Sequence, residues 1–175
     1  MTRAFLKIQE GCDDYCTYCI VPYARGPSRS RPIDAVLDEA RHLVSKGYKE
    51  IVVTGTHLGL YGQDFTPNIS ASKILAEDSP TISKSSSGEL PKVDLPQAIR
   101  LLTEIEGLSR LRISSLEPHD VTPELIHCLR YPQVCAHLHL PLQSGSDKIL
   151  KKMGRRYNAA DFLKVVGGIR RVSPN

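Results

Sequence analysis

Ile33-Asp34-Ala35-Val36-Leu37-Asp38-Glu39-Ala40-Arg41-His42-Leu43-Val44-Ser45-Lys46-Gly47, followed by Glu50-Ile51-Val52-Val53-Thr54-Gly55, decides the fold class. In the first stretch Ile33, Val36, Leu37, Ala40, Leu43 and Val44 recur at helical spacing, so one face is apolar. Pro32 suits the first turn and Gly47 the end. The second stretch is an apolar run short enough for a buried strand. The alternation extends both ways. Upstream, Ala4-Phe5-Leu6-Lys7-Ile8-Gln9 reads as a strand. Downstream, Leu95, Ala98, Ile99, Leu102 and Ile105 form a second helical stripe closed by Gly107, and Arg110 to Leu116 alternates like a strand. Thr122-Pro123-Glu124 caps a helix bearing Leu125, Ile126 and Leu129, Ala136 to Leu142 is the next expected strand, and Asn158 caps a last helix with Phe162, Val165, Val166 and Ile169. Repeated strand–helix units predict parallel strands, right-handed crossovers and a site at the carboxyl ends of the strands, in an α/β sheet or barrel.

The loop after the first strand sits at that rim. It reads Gly11-Cys12-Asp13-Asp14-Tyr15-Cys16-Thr17-Tyr18-Cys19 and holds three of the five cysteines in the chain. Thiolates hold iron–sulfur clusters, and three closely spaced ones leave one iron of a four-iron cubane open to another ligand. Zinc is the alternative for such thiols, with His42, His57, Cys128 or Cys135 as a fourth ligand, but the paired spacing of structural zinc is missing. A redox dithiol at Cys16 and Cys19 would leave Cys12 without a role. A disulfide framework is disfavoured by the sparse, odd cysteine count and by an opening that does not read as a signal peptide. The chain reads as reduced and cytoplasmic. Cys128 and Cys135 read as packed core thiols.

With 175 residues, 41% of them hydrophobic, one ordinary core can be buried, and no apolar run approaches the ~20 residues of a membrane helix. Net charge is +4, but the cations are grouped. Arg25, Arg29 and Arg31 share one loop, and Lys148, Lys151, Lys152, Arg155 and Arg156 fall in another stretch without an acid. Such groups suit a polyanion or form solvated faces. From about residue 64 to 93 serines and prolines displace large apolar residues, which predicts a disordered insertion.

The spacing C-x3-C-x2-C, with Tyr18 before the last cysteine, resembles the signature of the radical S-adenosylmethionine enzymes. The stretch Gln9 to Gly26, with Arg29-Ser30-Arg31-Pro32 behind it, resembles the methylthiotransferase family within them, as do Pro141-Leu142-Gln143-Ser144-Gly145-Ser146-Asp147 and Met153-Gly154-Arg155-Arg156-Tyr157. Thr54-Gly55-Thr56-His57-Leu58-Gly59-Leu60-Tyr61-Gly62 and Arg112-Ile113-Ser114-Ser115-Leu116-Glu117-Pro118 are similar to the branch modifying N6-threonylcarbamoyladenosine in tRNA. The branch acting on isopentenyladenosine usually has a Gly-Gln-Asn type sequence where this chain has Gly55-Thr56-His57.

The resemblance implies an incomplete radical (β/α)6 barrel with about four βα units, lacking an amino-terminal second-cluster domain and a carboxy-terminal RNA-binding barrel of the TRAM type. It implies a 4Fe–4S cluster on Cys12, Cys16 and Cys19 that cleaves S-adenosylmethionine, with cofactor contacts from Tyr18, Thr54, Gly55, Thr56, Glu117, Gln143 and Ser144. It further implies tRNA as substrate, methylthiolated at C2 of the modified adenine, and an electron donor such as a flavodoxin or ferredoxin. Arg25, Arg29, Arg31, Arg155 and Arg156 are expected as a rim for the RNA backbone, and the isolated chain is expected to be inactive on tRNA. The competing readings are a zinc-supported RNA-binding module and a truncated barrel that folds without a cluster.

Overall fold

The computed structural model describes residues 2–65 and 93–174. The expected serine-rich insertion lies almost wholly outside the described residues. Three strands, β1 (Ala4–Glu10), β3 (Glu50–Gly55) and β4 (Arg110–Ile113), run parallel and lie side by side in chain order. Ala4 pairs with Ile51 and Ile51 with Leu111. A two-residue strand, β2 (Arg29–Ser30), lies antiparallel on the outer edge of β1. Consecutive strands as neighbours, each joined by a crossover, is the winding of a barrel that has not closed.

The helices cover one face. The stripe read in the sequence buries Ile33, Val36, Leu37 and Ala40 of α2 (Ile33–Ser45) against β1. Lys46 stands at its C-cap and Gly47, with φ +90°, turns the chain back toward β3. Asp94 and Gln97 close a capping box on α3 (Leu95–Thr103), which buries Leu95, Ala98, Ile99 and Leu102. The Thr122 hydroxyl accepts from Leu125 N–H at the start of α4 (Pro123–Cys128). Helices α2, α3 and α4 pack on one another in turn. Fully buried Leu6, Ile8, Ile51, Val53, Leu111 and Ile113 meet them from the sheet, each contributing about 1.5–3 kcal/mol of apolar burial. On the other sheet face Phe5 is 68% exposed, while Val52 beside it is buried.

The fourth expected strand is the main correction. Residues 136–142 form no regular strand; bridges Leu111–Val134 and Ser115–His139 tie this segment to the edge of the sheet. Between them His137 N–H donates to the Cys135 carbonyl at 2.7 Å, a tight turn that interrupts the ladder. A short helix, α5 (Asp147–Lys152), follows, and then α6 (Ala159–Val172), capped by Asn158 with Asp161 and fully burying none of its side chains. Helix α1 (Val21–Arg25) links the cysteine loop to β2. No helix among the described residues is long and apolar enough to cross a membrane.

Candidate active site

Loops from the carboxyl ends of β1, β3 and β4 meet around the three thiols. Gly11 begins the first loop at φ +78°, and a Cβ there would lie 1.9 Å from the Pro27 carbonyl oxygen, so only glycine permits this path. Cys12 N–H donates to Gly26 O (3.2 Å), Tyr15 turns at φ +48°, and Cys19 N–H closes a turn onto Cys16 O (2.9 Å). The loop is fastened from far along the chain. Thr17 donates its N–H to Met153 O (3.1 Å) and its hydroxyl to Lys152 O (2.9 Å). Cys12, Cys16 and Cys19 are half-buried free thiols.

Behind Cys12 stands a buried polar cluster. His57, 4% exposed, places Nδ1 at 3.2 Å from Cys12 Sγ and Nε2 at 2.6 Å from Asp120 Oδ2. Asp14 Oδ2 lies 3.6 Å from His57 Nδ1 and 3.7 Å from His119 Nε2, while Arg156 Nε lies 3.2 Å from Asp14 Oδ1. Burial alone would lower the His57 pKa; its bonds to Asp120 and Cys12 and the charges of Asp120 and Asp14 outweigh that and push it up to about 10. Gln9, also buried, fixes the backbone beneath: its Oε1 accepts from His57 N–H (2.8 Å) and its Nε2 donates to Glu10 O, Gly11 O and Ser28 Oγ.

Arg155 organises the other side. Its side chain, 5% exposed, donates to Glu117 Oε2 at 2.6 Å and to the Tyr18 hydroxyl. Its guanidinium lies 5.7 Å from the Tyr18 ring centroid and 5.9 Å from that of Tyr157. Tyr157 in turn donates to Pro141 O and Leu142 O, which anchors the segment leading to Gln143 and Ser144. Burial raises the Cys16 pKa, and Arg155 opposes that by favouring the thiolate.

A family model for the radical SAM superfamily matches residues 6–174. The chain belongs to the radical SAM superfamily. Enzymes of this superfamily use a 4Fe–4S cluster and S-adenosylmethionine. Curated relatives include a tRNA-2-methylthio-N(6)-dimethylallyladenosine synthase of Clostridium tetani, 39% identical over 99% of this chain and 33% of that protein. The threonylcarbamoyladenosine tRNA methylthiotransferase MtaB of Thermotoga maritima is 39% identical over 99% of this chain and 35% of its own length. MtaB of Bacillus subtilis is 41% identical over 99% and 33% respectively. The chain therefore spans about a third of the length of these relatives. Among solved structures, the radical S-adenosylmethionine methyltransferase TsrM of Kitasatospora setae shares the fold with a TM-score of 0.64 at 18% identity, covering 98% of this chain and 29% of that one. The cobalamin-dependent radical enzyme OxsB gives 0.63 at 15% identity, covering 97% and 22%.

The residues present fit the superfamily's cluster. One loop offers three sulfur donors without a disulfide among them, and the Arg155 guanidinium beside Cys16 favours its thiolate. Arg155 Nε is moreover a buried donor without a hydrogen-bond partner among the described residues.

The other expected radical SAM site residues are dispersed along the same rim. Thr54 and Gly55 end β3, Thr56 is exposed beside them, and Glu117 holds Arg155. Exposed Gln143 sits at φ +62°, and Ser144 Oγ accepts from Ser146 N–H. Of the expected arginine rim, Arg25 and Arg156 are exposed while pairing with Glu10 and Asp14, and Arg29 is exposed with a bond to the Arg25 carbonyl. Arg31 is turned to Glu39 and Lys7 O, and Arg155 is internal. Sequence reading named His57 as a spare zinc ligand and as part of the branch motif, not as a partner of Cys12, and gave no role to Asp14, His119 or Asp120. Cys128 is buried in α4, with Sγ toward Glu124 O and a pKa that burial pushes up to about 11. Cys135 corrects the expectation of a core thiol: it is half-buried beside Arg110 at the opposite end of the strands.

Proposed function

We propose that this chain carries the S-adenosylmethionine-cleaving core of a tRNA methylthiotransferase whose target is N6-threonylcarbamoyladenosine. The observation that carries the reading is the three-thiol loop at the carboxyl rim of the parallel strands, in a chain about 40% identical along nearly its whole length to enzymes named for that chemistry. When bound, the cluster supplies the electron that splits S-adenosylmethionine into methionine and a 5′-deoxyadenosyl radical. The protein's part is to hold and shield. Cys12, Cys16 and Cys19 provide three thiolates, and Thr17 fixes their loop to the end of α5. Glu117 and Arg155 hold Tyr18 at the edge of the loop. Thr54, Gly55, Thr56, Gln143 and Ser144 supply further cofactor contacts at strand ends.

Arg25, Arg29 and Arg156 face solvent and are the cations we assign to tRNA phosphates; Arg31 and Arg155 hold the protein together instead. A flavodoxin or ferredoxin in the cytoplasm donates the electron. The sulfur donor belongs to the parts of the relatives this chain does not match, because neither Cys128 nor Cys135 lies by the cysteine loop. Thr54 to Gly62, with its Gly55-Thr56-His57, favours the threonylcarbamoyl branch. The synthase of Clostridium tetani, at 39% identity, supports isopentenyladenosine as the second reading.

The test is anaerobic reconstitution with iron and sulfide, then incubation with reductant, S-adenosylmethionine and tRNA bearing either modified adenosine. The chain alone should release 5′-deoxyadenosine slowly and leave both nucleosides unchanged by mass. An iron-loaded chain that releases none sinks the reading. Stoichiometric zinc without sulfide would favour a plain metal site at Cys12, Asp14 and His57, which the fold brings together.

A further inference from the structure

Cys12 differs from its two neighbours: among the described residues no side-chain hydrogen bond reaches Cys16 Sγ or Cys19 Sγ, whereas Cys12 Sγ has His57 Nδ1 at 3.2 Å. That imidazole is fixed from every direction. Its backbone N–H is bound by Gln9 of β1, and its Nε2 by Asp120 from the loop after β4 at 2.6 Å. Gly59 leaves room for the carboxylate, since a Cβ there would sit 2.2 Å from Asp120 Oδ2. Gly55 does the same for Gln9, with a Cβ falling 2.9 Å from Oε1. Three strand ends thus press one ring against one sulfur, and no step of the reaction proposed above uses it.

A sulfur bonded to iron carries no proton. The only hydrogen bond open across this contact therefore has Nδ1 as its donor, which makes Nε2 either a second N–H donor to the Asp120 carboxylate, in an imidazolium, or the acceptor from a protonated Asp120. We infer that His57 is a positioning residue that donates an Nδ1–H···Sγ hydrogen bond to cluster-bound Cys12, with Asp120 holding the ring from behind, and so raises the reduction potential of the cluster. Hydrogen bonds to cluster sulfur withdraw electron density and favour the reduced form, and an acid behind the imidazole fixes its orientation. The inference rests on the reading of Cys12 as a cluster ligand. Its consequence is an asymmetric cluster, with one of its three thiolates polarised and two not.

The experiment is pulsed electron paramagnetic resonance on the reduced, reconstituted chain labelled with 15N-histidine, alongside a redox titration. The wild type should show one weak histidine-nitrogen coupling, far smaller than that of a histidine bound to iron. His57→Leu should abolish the coupling and lower the midpoint potential at unchanged iron and sulfide content. His57→Asn, whose side-chain amide can place an N–H near the position of Nδ1, should recover part of the potential. No histidine coupling in the wild type, or a coupling that survives His57→Leu, overturns the inference, as does a potential unmoved by His57→Leu. Should His57→Leu fail to fold, the labelled wild type alone decides. A wild-type chain that takes up no iron overturns the cluster reading itself, a separate and recognisable outcome.

Discussion

Both ends of the parallel strands bury charge, and they do it differently. At the amino ends one carboxylate, Glu50, sits 9% exposed with Nε atoms of Arg3, Arg110 and Arg112 at 3.5, 3.3 and 3.5 Å. Three cations surround one anion between neighbouring strands, although Glu50 Oε1 and Arg112 Nε find no hydrogen-bond partner among the described residues. At the carboxyl ends Asp14, Asp120 and Glu117 face His57, His119, Arg155 and Arg156 across four loops, with half-buried thiols in their midst. The first arrangement serves stability. The second holds reactive groups in place while leaving them reachable, as expected of the face of a βα barrel that carries the chemistry.

Substitutions can break that contrast, beginning with the largest effect. Replacing any one of Cys12, Cys16 or Cys19 by Ala should abolish bound iron and sulfide after reconstitution, while Cys128→Ala and Cys135→Ala retain the full complement; iron surviving a triple replacement refutes the assignment. Arg155→Met should come next, leaving Glu117 without its partner and Tyr18 unheld, at a cost of about 2–3 kcal/mol in urea unfolding together with poorer iron retention. Glu50→Gln should cost a smaller amount, about 1–2 kcal/mol, with iron content untouched. If Glu50→Gln also sheds iron, the two ends are coupled and the contrast fails. The smallest effect is on RNA. Neutralising Arg25, Arg29 or Arg156 should each shallow the logarithmic salt dependence of tRNA binding by about 0.7–0.9, whereas Arg31→Gln should leave that slope alone. Equal slopes for all four would make the exposed arginines a solvated face.

The amino-terminal half of the sheet was legible because its cues are local. The stripe of α2, Gly47 and the run Glu50 to Gly55 lie within one βα unit, and the structure follows them nearly residue for residue. Ala136 to Leu142 misled because apolar alternation does not reveal a turn: the bond from His137 N–H back to Cys135 O breaks the strand. The cysteine loop could be read from spacing alone, since its three donors are close in sequence. The group behind it could not. His57 reaches Cys12 across 45 residues and Asp120 across 63, separations at which only the packing of strand ends brings side chains together. Arg155 looked like part of a basic surface because sequence shows its charge and not Glu117 and Tyr18 around it.

Thr17 donates its hydroxyl to Lys152 across 135 residues, and that fastening also sets an order in time. A ribosome releases the three cysteines long before the stretch that clasps them, so during synthesis the thiols emerge on an unsecured loop. The finished clasp exists only after α5 and Met153 have left the exit tunnel and folded back. A nascent chain halted before α5 would therefore present the same three thiols without the two hydrogen bonds that fasten their loop.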